Sequence, residues 1–139
     1  MKRYINSALA YAILAMIGGV FYREFTKYHG FDGKTYLSVV HTHYFLLGMV
    51  FFILLLLLEK NFSFTKAKTH KALIVYHLGL NLTAIMLVVR GITQVHGSNL
   101  SSGLNASISG MAGIGHMLLT VSMVILLLQI RRSASEADK

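Results

Sequence analysis

Seven histidines in a chain of 139 residues are the side chains best suited to hold a metal or move a proton. Four of them, His41, His43, His77 and His116, fall inside long apolar runs, where an ionisable group is costly and normally faces a partner or a cavity. Imidazole nitrogen is a ligand for iron, copper and zinc, and two imidazoles can fill both axial positions of a haem. His29 and His96 fall in or beside polar loops and His70 in a basic one, so these three read as solvated or headgroup-level residues.

Depth and facing sort the remaining four. On helices rising about 1.5 Å per residue, His41 and His43 lie roughly 5 and 7 Å beneath one membrane surface and His116 about 12 Å beneath the same surface. His77 lies instead about 7 Å from the opposite surface. Residues three, four and seven apart share a helix side, which groups Ser38, His41, Phe45, Gly48 and Phe52 and sends His43 elsewhere with Leu47, Val50 and Leu54. The side carrying His116 also has Ser109, Ala112, Gly113, Thr120 and Met123; with Gly110 and Gly115 this leaves room for another backbone or a flat cofactor edge. Arg90 shares a side with Gly79, Thr83, Met86 and Gln94 and suits a carboxylate in bidentate geometry.

These residues lead to the expectation of a b-type haem, protoporphyrin IX iron, with His41 and His116 as axial ligands. Gly48 and Gly113 give it room and Arg90 meets a propionate. His43 is kept as a second candidate ligand, or as a residue at the contact in a homodimer. With both axial positions filled the iron would shuttle electrons with a redox partner or carry haem; with His116 alone, gas sensing becomes the reading. Two rivals stand beside it. One is a bundle passing protons or a transition metal from His116 inward to His77, although Leu54–Leu58 and Val124–Leu128 make that path aliphatic. The other is a structural subunit in which histidines and small residues only pack helices within a larger complex.

The elements that must position these groups are membrane helices. With 55% hydrophobic and 13% charged residues, a soluble fold could not hide the apolar surface. Apolar runs over about 4–22, 38–58, 72–94 and 108–130 each have the ~20 residues a bilayer core demands. The expected fold is therefore all-α, one integral membrane four-helix bundle spanning 1–139. Lys2 and Arg3 ahead of the first run imitate a signal peptide, but the run continues to Tyr22 without an Ala-x-Ala site and reads as a mature helix. There is no cysteine for thiolate ligands or disulfides and no proline to kink a helix.

Charge sets the orientation. Lys2, Arg3, Lys60, Lys66, Lys68, Lys71, Arg131, Arg132 and Lys139 fall on one side of the map, and Arg23, Lys27, Lys34 and Arg90 on the other. By the positive-inside rule both termini and the middle loop are cytoplasmic. The net charge of +8 sits at the edges of apolar runs, so it is read as contact with the lipid bilayer and not with nucleic acid. The tail from Ser133 is expected to fray. Ser7, Tyr11, Gly18 and Tyr22 read as a packing stripe, the methionines as gap fillers, and His77 with Asn81 as a hydrogen-bond network. No pair of acids lies in the core for acid–base catalysis, so an enzyme is not the favoured reading.

The segment Val39-Val40-His41-Thr42-His43 followed by Leu47-Gly48, with Gly19 to Lys27 before it and Gly110 to His116 after it, resembles a family of small bacterial four-helix membrane proteins of unknown function. The resemblance covers nearly the whole chain and implies the bacterial cytoplasmic membrane. In addition, His41-Thr42 opening an apolar helix is similar to the haem-ligand helix of subunit I in haem-copper oxidases and nitric oxide reductases. That likeness implies that His41 takes the iron. Nothing matches the three-histidine copper site of those enzymes, so oxygen reduction is not implied.

Overall fold

The computed structural model describes residues 1–137, which form four long helices. They are α1 (Lys2–Tyr28), α2 (Leu37–Phe62), α3 (Ala67–Val95) and α4 (Ser102–Ala137), each long and apolar enough to cross a membrane. Their outward faces carry Leu9, Val20, Leu78 and Met117, all more than 60% exposed, a surface suited to contact with lipid. The chain is an all-α, multi-pass membrane protein.

α1 and α2 form one hairpin and α3 and α4 another, with α2 touching all three other helices. α1 and α3 pack on α2 more than on each other, and α2 approaches α4 chiefly through Phe51–Phe62. Towards the end bearing the 29–36 and 96–101 loops, α2 and α4 therefore diverge. The α3–α4 crossing is tight because glycine meets backbone: a Cβ on Gly79 would lie 2.7 Å from the Leu119 nitrogen, and one on Gly115 would lie 2.5 Å from Thr83 Oγ1. Without a hydrophobic drive between helices in lipid, such close van der Waals contact is what holds them.

α2 is not a uniform α-helix. Tyr44–Val50 is a π-helical stretch, which frees carbonyls from the ordinary ladder. The buried Tyr76 hydroxyl donates to one of them, Leu47 O, at 2.7 Å. Replacing Tyr76 by Phe removes the donor and keeps the shape, so unfolding in detergent should show a loss of about 1–2 kcal/mol. An unchanged transition would mean that the π stretch needs no such support.

The tail differs from expectation. α4 continues as helix to Ala137, and Glu136 lies 3.1 Å from Arg132 and 3.7 Å from Lys66 in the α2–α3 connection, which ties the last turn down. Lys139, assigned to the same membrane side by its charge, lies outside the described residues.

Candidate functional site

The polar side of α2 exists as expected, but it faces α1. His41 packs on the glycines of α1, its Cβ and Cγ 3.7 and 3.8 Å from where a Gly19 Cβ would be. Gly48 is filled by Tyr11, whose Cβ would lie 2.5 Å from an added Cβ. Gly48 therefore offers a cofactor no room, and His41 is turned away from α4. The buried Nδ1 of His41 has no hydrogen-bond partner.

His43 meets His116 instead. Their ring centroids are 6.3 Å apart and the ring planes are crossed at 87°. Each ring is anchored in the same way: His43 Nδ1 lies 2.8 Å from Val39 O, and His116 Nδ1 lies 2.8 Å from Ala112 O. A carbonyl can only accept, so both Nδ1 atoms carry a proton, and in a neutral ring Nε2 is then the atom with the lone pair. This is the tautomer that metal-bound histidines adopt, with the second nitrogen held by a backbone carbonyl. Two metal–nitrogen bonds of about 2.0–2.1 Å plus the ring radii span roughly 6 Å, so the centroid separation is compatible with one ion between the rings. Of the two roles kept for His43, second candidate ligand or residue at a homodimer contact, its place beside His116 within one chain accords with the first, because α2 turns its His41 side onto α1.

The surroundings of His116 form an open cleft of about 490 Å³ between the start of α2, the outer part of α3 and the start of α4. Tyr36, Met86, Arg90, Ser109 and Gly113 line it together with His116. Gly113 and Gly110 have open space where a Cβ would be. Arg90 lies on the cleft wall with its guanidinium bonded to the side chain of Asn105, to Asn105 O at 3.2 Å and to Ser109 Oγ at 2.6 Å. No carboxylate pairs with it among the described residues, so its charge is held in place but not neutralised.

The second polar cluster lies deeper. Asn81 donates to the Tyr11 hydroxyl at 3.1 Å and to His77 O at 2.8 Å, while the Tyr44 hydroxyl donates to Asn81 Oδ1 at 3.2 Å. Tyr11 then has its own proton for His77 Nδ1, 2.6 Å away, which assigns the His77 proton to Nε2. Phe52 stacks on the His77 ring at 4.8 Å and 16°. The expected His77–Asn81 network is present, and it recruits Tyr11 and Tyr44, which helix spacing within single spans could not link. Near the loops, His29 and His96 come together, ring centroids 4.7 Å apart, because the ends of α1 and α3 meet there. No group of three or more His, Asp or Glu side chains converges on a metal-sized site among the described residues.

Residues 1–133 match the family described as Protein of unknown function (DUF2871). The chain belongs to that family. No curated protein and no solved structure matches the chain. The likeness to haem-copper oxidase subunit I therefore rests on His41-Thr42 alone, and the geometry turns that histidine towards α1.

Proposed function

We propose that this protein binds a b-type haem between α2 and α4, with His43 and His116 as the axial imidazoles, and serves in electron transfer or haem handling. The observation that carries the reading is the 6.3 Å separation of two imidazoles from different helices, each with Nδ1 held by a backbone carbonyl. The group fits the residues present: open faces at Gly110 and Gly113 leave room beside His116, and Arg90 offers an unneutralised cation in the same cleft for a propionate. When bound, the haem would supply a one-electron couple. Val39 O and Ala112 O fix the orientation of the two rings. His41 has no part in this arrangement, and the membrane is taken as a bacterial cytoplasmic one with both termini inside, from the basic residues gathered at the termini end. The reading is tested by the optical spectrum of detergent-purified protein, oxidised and then reduced, with the variants argued in the Discussion. Protein that stays colourless after expression with ample haem and takes up none when it is added would end it.

The Tyr44–Asn81–Tyr11–His77 chain favours a second reading, proton passage through the bundle. It supplies the polar atoms that the aliphatic inner halves of α2 and α4 lack. In that case proteoliposomes should carry protons faster than protein-free ones, and His77→Leu or Asn81→Leu should slow the flux at least about tenfold, as loss of one polar link in a relay demands. Flux equal to that of empty liposomes would remove this reading.

A further inference from the structure

Because α1 and α3 both pack on α2, they leave a cleft of about 560 Å³ between them at the termini end, far from His43 and His116. Its floor is apolar and aromatic, made by Tyr4, Phe52, Leu73 and Ile74, with the ring of His77 at the deep end. Its mouth is cationic, with Lys2 and Arg3 from α1 and His70 from α3. Arg3 Nη1 lies 3.3 Å from His70 Nδ1; a guanidinium only donates, so His70 is the acceptor and a neutral His70 keeps an N–H on Nε2. The one acid in the lining, Glu59, accepts the Thr65 backbone N–H at 3.0 Å. Among the described residues neither Lys2 nor Arg3 has a carboxylate partner.

An apolar slot between two membrane helices, opening under two unpaired cations, matches one class of ligand in charge and in shape. We infer that the cleft holds a single anionic phospholipid, its phosphate at Lys2, Arg3 and His70 and one acyl chain lying over Phe52 towards His77. Scattered basic residues at a membrane edge attract anionic lipid loosely. Here the charges converge from two helices onto a cavity of a size that encloses ligands, which makes the association site-like. The chain length is consistent: from Lys2 to Ser7 α1 rises about 7.5 Å, enough to bury the first half-dozen methylenes of a chain.

The test uses the full chain in a mild detergent, stripped of lipid and offered phosphatidylglycerol or phosphatidylcholine in equal amounts, with bound lipid counted by native mass spectrometry. The expected result is one phosphatidylglycerol retained per chain with a preference of about tenfold or more over phosphatidylcholine, as two nearby cations imply. Lys2→Gln with Arg3→Gln should abolish the preference without altering pigment content or helix content. Ser7→Trp, which fills the slot, should lower retention of both lipids. Equal retention of the two lipids by the natural sequence, or a preference that survives the double charge change, overturns the proposal. Retention of oleate but not phosphatidylglycerol would also overturn it, assigning the slot to a free fatty acid.

Discussion

Replacing His116 by Ala is expected to abolish the bis-imidazole haem spectrum of the purified protein, and His43→Ala is expected to do the same. Each removes one of the two rings that stand 6.3 Å apart across the diverging ends of α2 and α4. Even changes in groups that only orient a ligand typically cost ten- to a hundredfold in affinity, so loss of the ligand itself should lower haem retained per chain by at least about tenfold. His41→Ala should leave the spectrum intact, because that ring packs on Gly19 of α1. This contrast separates the arrangement in the folded chain from the one that helix periodicity alone suggests. A spectrum lost with His41 and kept without His43 would overturn the assignment. Arg90→Gln belongs to the same series. It should leave the band positions unchanged but weaken haem retention about tenfold, the worth of a charge-assisted hydrogen bond to a propionate. Retention equal to that of the natural sequence would take Arg90 out of the site and leave it as the residue that binds Asn105 and Ser109.

The second large effect concerns stability. Gly79→Ala puts a methyl 2.7 Å from the Leu119 nitrogen and 3.0 Å from Gly115 O, and Gly115→Ala puts one 2.9 Å from the Thr83 nitrogen. Backbone atoms of a packed helix cannot rotate out of the way as a side chain can, so the α3–α4 hairpin must open. Each change should cost about 2–3 kcal/mol, at the upper part of the range for overpacking, and the pair should cost less than the sum because both strain one crossing. Gly110→Ala and Gly113→Ala provide the control. Their added methyls meet open space, so stability should hold or rise by up to about 1 kcal/mol from better helix propensity. Thermal unfolding followed by helix content in detergent reads all four. Gly79→Ala unfolding together with the natural sequence would mean that the crossing is looser than its geometry implies.

The glycines also show how differently one residue type serves in one chain. Gly48 and Gly115 both looked like room for a cofactor when each helix was considered singly. In the folded chain Gly48 is taken up by Tyr11 and Gly115 by Thr83, whereas Gly110 and Gly113, close to His116 in α4, remain open. A small residue marks a place where something comes close; which partner comes close depends on the neighbouring helix.

The amino-acid order by itself determined the four membrane helices, because runs of about 20 apolar residues have one stable form in lipid, where every backbone group must bond within its own helix. It also fixes the spacing of the histidines along each helix axis, since rise per residue is a property of the helix alone. The side of each helix was equally readable: His41 with Gly48 and Phe52, and His116 with Ser109 and Gly113, do share faces. What only the tertiary structure decided was the direction in which those faces point. Nothing within α2 says whether its His41 side meets α1 or α4, because that depends on Gly18 and Gly19 accepting its bulk and on the α3–α4 crossing at Gly79 and Gly115. The same holds for the Tyr11–His77–Asn81–Tyr44 network, whose members come from three helices, and for the cleft beneath Lys2 and Arg3, which exists only because α1 and α3 share α2 as a common wall. Helix formation in lipid is local and follows from composition, whereas pairing between helices is a competition among several apolar faces of similar hydrophobicity, settled by a few close contacts far apart in the chain.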